Sequence, residues 1–162
     1  MVNILEIPVI CDDSADALGF IKALTDKKER SYSGFRLFEY ELDENKVIYL
    51  YLLDKADNNG NIEIWDRIIP KSPLALFFFR TADKIINTPL ADIYDFYSKR
   101  YETPAVFLSK RSDKQDVTFQ DEILRTVGDR VCFYDADSED SLKEALVSAL
   151  QSVLDFEIKG EE

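Results

Sequence analysis

The stretch Val9–Leu24, VICDDSADALGFIKAL, places Asp12, Asp13 and Asp16 in the turn between an apolar run and a helix start. Paired carboxylates at the end of a buried strand can hold Mg²⁺, a hard cation that takes oxygen ligands. Two more residues would extend that chemistry. Asp54 closes the apolar run VIYLYLL, where it could accept a phosphoryl group, and Lys110 follows PAVFLS as the cationic member of the set. The plainer role of Asp12 and Asp13 is to cap and solvate a helix N-terminus, where negative charge is favourable. A second segment, KADNNGNIEIWD (Lys55–Asp66), has the rhythm of a calcium loop. With Gly60 at loop position 6, Asp57, Asn59, Ile62 and Asp66 fall at positions 3, 5, 8 and 12. Lys55 at position 1 cannot ligate calcium, and a strand precedes the segment where a helix is needed. It reads as a turn rich in Asp, Asn and Gly.

Composition removes other chemistries. The chain has no histidine, which excludes Ser-His-Asp catalysis and ordinary His-based zinc sites. It also leaves the two cysteines, Cys11 and Cys132, without a base to activate a thiol. Two thiols far apart in sequence read as reduced residues of a cytoplasmic protein, buried as small hydrophobes. The net charge of −12 argues against nucleic acid or an anionic membrane as partner, since both need a basic surface. It suits a basic protein surface, or simple acidic solubility. No apolar run approaches the ~20 residues of a membrane span, and MVNILEIPVICDD has no basic n-region, so no signal peptide is expected. A length of 162 residues with 46% hydrophobic and 32% charged content fits one domain, expected over 1–156, with an acidic tail at 157–162.

The elements that must position these residues follow from periodicity. Six runs read as strands: Ile7–Cys11, Phe35–Leu42, Lys46–Leu53, Leu74–Phe79, Ala105–Ser109 and Val131–Tyr134. LALFFF and PAVFL are apolar throughout, as in strands buried on both faces of a parallel sheet. Helical spacing appears at Ser14–Leu24, Asn61–Ile69, Pro89–Tyr101 (Thr88 as N-cap, Pro89 at N1), Phe119–Val127 and Ser138–Leu154. Only about four residues, Asp43–Lys46, join the second and third strands. A parallel crossover needs a dozen or more, so this pair is an antiparallel hairpin. Every other connection passes through a helix and implies parallel strands. The expected architecture is α/β: a three-layer, Ras-like fold on a six-stranded, mostly parallel sheet with one antiparallel strand.

With that order, three segments resemble a small GTPase of the bacterial and archaeal kind found with Roadblock-type partners. LDENKVIYLYLLD resembles the family's third strand, IEIWDRII its switch II helix with Trp65 in a typical place, and DADSEDSLKEALVSAL its last strand, loop and helix. The resemblance spans roughly Ile4–Leu154. It places a phosphate loop, G-x-x-x-x-G-K-[ST], at Cys11–Leu18. That loop works through backbone N–H groups, a lysine that neutralises phosphate and a hydroxyl on Mg²⁺. Here Cys11 and Asp16 stand at the glycine positions, Ala17 at the lysine and Leu18 at the hydroxyl, and the aspartates would repel a triphosphate. The turn after the third strand, Asp54–Asp57, has Asp57 at its glycine position. The base-reading motif N-K-x-D corresponds to Ser109–Ser112, with Lys110 kept and Asp113 one place late.

The resemblance with these changes implies a pseudo-GTPase: no enzyme, no nucleotide cofactor, and a role as an interaction or regulatory module. The nucleotide space should be narrowed, with Leu18 turned inward. The implied partner is a protein, either a Roadblock-type protein or an active small GTPase, or a second copy. Four residues are candidates for the surface that meets it. Glu39 and Glu41 share one face of the hairpin, Trp65 lies on the switch II helix, and Tyr97 lies on a helix with more aromatics than one inward face can hold. The alternative is a receiver-like Mg²⁺-binding signalling domain that uses Asp12, Asp13 and Asp54. The hairpin and the sixth strand stand against it, because the receiver sheet is five-stranded and all parallel.

Overall fold

Alternation along four apolar strands divides the core into two layers, one on each side of a single sheet. A computed structural model of the chain describes residues 2–11, 14–25, 29–55, 61–79, 88–110, 131–135 and 137–154. Its strands are β1 (Asn3–Cys11), β2 (Arg30–Tyr32), β3 (Phe35–Glu41), β4 (Lys46–Leu53), β5 (Ala75–Phe79), β6 (Ala105–Lys110) and β7 (Val131–Tyr134). They hydrogen-bond in the order β2-β3-β4-β1-β5-β6-β7. Ile7, Val9 and Cys11, with Leu76, Phe78, Val106 and Leu108, face one way; Ile10, Ala75, Phe77, Ala105 and Phe107 face the other. This is the period-2 pattern of strands buried on both faces.

Four helices among the described residues cover the two faces: α1 (Ser14–Leu24), α2 (Asn61–Ile68), α3 (Thr88–Arg100) and α4 (Glu139–Gln151). Ala17, Phe20 and Ile21 of α1, together with Leu142, Ala145, Leu146, Ala149 and Leu150 of α4, bury against the first face. Trp65 of α2, Ile69 of the 3-10 turn that follows it, and Tyr97 of α3 bury against the second. All follow i, i+3, i+4 spacing, the stripe an amphipathic helix presents to a core. Ser138 caps α4: its Oγ accepts from the Ser141 backbone N–H at 3.2 Å. The helix expected at Phe119–Val127 and the tail at 157–162 lie outside the described residues.

The α/β, mostly parallel architecture is as expected, with one correction: the sheet has seven strands. β2 pairs antiparallel with β3 (Arg30↔Leu37, Tyr32↔Phe35), and β3 pairs antiparallel with β4 (Phe35↔Leu53 through Glu41↔Val47). All three β2 residues are exposed, so no burial pattern marks it in the sequence. A two-residue turn makes it. Gly34 sits at φ +90°, and a Cβ there would collide with Cδ1 of Ile64, so glycine answers both the backbone and the close approach. A mixed sheet of seven strands is also not the all-parallel sheet of a receiver domain.

Candidate functional site

The carboxyl ends of β1, β4, β5, β6 and β7 form one edge of the sheet. In open α/β sheets the ligand crevice lies at that edge. β1 ends at Cys11 and α1 begins at Ser14, so two residues connect them. Asp12 and Asp13 are those residues and lie outside the described residues, as do Asp57 and Asp113. Asp16 belongs to α1, with its side chain outside what is described. Ala17, at the position of a phosphate-loop lysine, is 0% exposed. Leu18 is half-buried and packs against the same core. Phe20 anchors the helix, with its ring edge-on to Phe78 (5.1 Å between centroids) and Tyr134 (4.8 Å). The phosphate-loop frame therefore runs into a helix that is under way by Ser14 and laid against the sheet by Ala17. Cys11 is buried, Ser109 is buried with Lys110 exposed beside it, and Asp54 is exposed. No disulfide is present between Cys11 and Cys132, whose strands are separated by β5 and β6. Burial pushes the Cys132 thiol up, away from the thiolate that nucleophilic chemistry needs.

Next to that edge, the hairpin turn, the end of β4 and α2 are tied together. The Asp54 backbone N–H donates to the Gly34 carbonyl at 2.9 Å. Trp65 Nε1 donates to the Asp54 carbonyl at 2.8 Å, and Asn61 Nδ2 donates to the Lys55 carbonyl at 2.9 Å. Trp65 and Tyr97 are each 2% exposed, so neither forms an interaction surface. The reason is geometric in both cases. The Trp65 indole fills the space under α2 with its one donor on Asp54, and the Tyr97 ring lies edge-on to Phe77 at 5.0 Å with its hydroxyl donating to the Thr103 carbonyl. Asp66, which would close a calcium loop, is held elsewhere. Arg100 donates to both its oxygens (2.8 and 2.7 Å) and the Tyr101 hydroxyl donates to it at 2.7 Å. These bonds hold the Asp66 carboxyl low, at about 2, while burial and the Asp66 bond push the Tyr101 hydroxyl up.

Glu39 and Glu41 do lie on the hairpin, and the register gives them company. Glu39 is opposite Tyr49 and Glu41 opposite Val47, while Glu6 of β1 pairs with the same Tyr49. Glu39 is half-buried and Glu41 exposed. On the same face Tyr32 stacks on Phe35 (4.9 Å), which meets Tyr51 at 5.6 Å, and the Tyr51 hydroxyl donates to Glu6 Oε1 at 2.9 Å. Burial, then the bond to Glu6, raises the Tyr51 hydroxyl above its usual range. Val2, Ile4 and Tyr32 are about half exposed, at 52%, 53% and 50%. Sequence reasoning did not single out Ile4 or Tyr32. The alternation of VNILEI held the signal for Ile4, whereas Tyr32 lies in a strand with no pattern of its own.

No protein-family model matches the chain, and no curated protein matches it. Solved structures do match. The G domain of the T. maritima FeoB iron transporter aligns with a TM-score of 0.68 at 10% identity, covering 94% of this chain and 100% of that one. At that identity the likeness shows the fold: a mostly parallel mixed sheet with helices on both faces, as in a P-loop GTPase G domain. It also corrects the expectation that the chain is no enzyme. The matching fold is that of a GTPase domain, and altered residues at Cys11–Leu18 do not by themselves remove a chain from that class.

Proposed function

We propose that this chain is a G-domain-fold protein whose function is exercised through contact with another protein, as an interaction or regulatory module. The observation that carries this reading is the surface on the β2–β3 side of the sheet. There Tyr32 is half exposed on an edge strand and stacks on Phe35, with Glu39 and Glu41 on the same face. Exposed tyrosine beside polar residues is the composition of a contact surface. The small-GTPase resemblance adds the partner class: a Roadblock-type protein or an active small GTPase.

Photo-cross-linking in the producing cells tests the reading. A photoreactive residue at Tyr32 should capture one discrete protein, and the same residue at Glu144 on α4 should not. No adduct from Tyr32, or equal adducts from both positions, would overturn it. Because the fold is that of a GTPase domain, GTP, GDP and Mg²⁺ are the small ligands to assay at the carboxyl edge. A tight ligand in large excess raises stability by several kcal/mol, a visible shift in Tm.

A further inference from the structure

The second face of the sheet is only partly roofed. Helices α2 and α3 cover its centre, where Trp65, Tyr97, Phe77 and Phe107 pack. Among the described residues, no helix covers the same face toward the amino end of β1 or across the adjoining parts of β4 and β3. Ile4 and Glu6, Tyr49 and Tyr51, and Leu37 line up there in adjacent strands, with Phe35 opposite Leu53 at the far end and packed against the second core. All but Leu53 are exposed or half-buried. Where β1 meets the segment after α2, the surface sinks into a groove of about 470 Å³ between Ile4, Glu6, Tyr49, Lys71 and Pro73. An apolar sheet face is normally covered by a second layer, and here the layer is incomplete among the described residues.

Resting on the interaction reading above, we propose that this open face is the docking surface for an amphipathic helix of the partner protein. The helix would set its apolar stripe on Ile4, Tyr49 and the Phe35–Tyr51 pair, with lysines or arginines along its flanks. The charge of the face selects that chemistry. Glu6, Glu39 and Glu41 stand among the aromatic rings, on a chain of net charge −12. Among the described residues of the strands and the groove, the basic ones on this side are Arg30 and Lys71, exposed at its two ends, and Arg67 lies on the neighbouring α2. A second copy of the chain would bring these glutamates against their like, which is unfavourable. Strand addition at the open edge is limited too, because β2 is three residues long and short edge strands template little pairing. A helix about 10 Å across can lie beside α2 as a further member of its layer.

A phage-displayed library of helical peptides, selected on the full chain, tests the proposal. Enriched peptides should carry apolar residues at i, i+3 or i+4 and i+7, flanked by Lys or Arg. Ile4→Glu should weaken their binding about tenfold or more, as should the pair Glu39→Lys and Glu41→Lys. Glu144→Lys on α4, the same charge change on the opposite face, should leave binding intact. Enriched peptides without basic flanks, or binding indifferent to Ile4 and to Glu39 and Glu41, would overturn the proposal. So would a dimer of the chain alone that Ile4→Glu dissociates, which would make a second copy the occupant. The two readings fail separately: a Tyr32 adduct that survives these substitutions keeps the interaction reading and removes the docked helix, whereas absence of any Tyr32 adduct removes the interaction reading itself.

Discussion

Ala17 is where the chemistry of a phosphate loop and the packing of this fold compete most directly. It sits on the buried stripe of α1 at 0% exposure with Phe20 and Ile21, so a lysine installed there would enter the core instead of reaching toward a ligand. Ala17→Lys is therefore expected to destabilise the fold by roughly 3 kcal/mol or more, the scale for an uncompensated buried charge. Urea denaturation measures it, and stability unchanged within about 0.5 kcal/mol would mean that α1 places this residue at solvent. Asp66 gives a second test at the same scale. Its carboxyl is lowered from 3.8 to about 2 by Arg100 and then Tyr101. A depressed carboxylate adds stability above its unfolded value, near 3.8, and loses that stability as pH falls through about 2. The pair is solvent-exposed and screened, so its contribution to stability is small. The clearer readout is the Asp66 carboxyl chemical shift, which should titrate near 2 and move up toward 3.8 in Arg100→Ala.

Elements form where local chemistry and burial agree, and the exceptions are instructive. β4 and α1 have the bounds their apolar runs imply, and Ser138, the first residue of SEDSLKEAL, caps α4. Ser138→Ala should cost about 1 kcal/mol by removing the acceptor for the Ser141 N–H, read from the urea midpoint at unchanged slope. β2 was not legible because a three-residue exposed strand carries no alternation, and its cause is a glycine in contact with a distant helix. Gly34→Ala should cost about 1–3 kcal/mol, from positive φ together with the clash on Ile64. The double variant with Ile64→Ala separates the two causes. If the cycle shows no coupling, the φ term alone holds the hairpin; coupling of about 1 kcal/mol would assign part of the cost to the clash. Trp65 and Tyr97 show the converse limit. Their helical spacing was legible, but which face of α2 and α3 turns inward depends on contacts with Asp54, Thr103 and Phe77 that form only once the helices pack on the sheet.

At the scale of the whole molecule, the sequence contained the layers. Short wholly apolar runs marked strands covered on both sides, and the four-residue Asp43–Lys46 link required the antiparallel pair that the sheet contains. The same sequence did not contain the open face, because openness is set by how far α2 and α3 reach across the sheet. This architecture has a consequence for cooperativity. Strands β1, β4, β5 and β6 send alternate residues into both cores, so neither core can lose its packing while its strands stay in place for the other. Leu146 of α4 is 0% exposed on the first face, and Trp65, the chain's one tryptophan, is 2% exposed on the second. Leu146→Ala should cost about 3 kcal/mol by leaving a cavity. Trp65 fluorescence, which reports from the opposite side of the sheet, should show the whole of that loss, with a midpoint that coincides with the far-ultraviolet circular dichroism transition. A fluorescence midpoint that stays at the parent value while the dichroism shifts would mean that the two layers unfold separately and that the shared strands do not couple them.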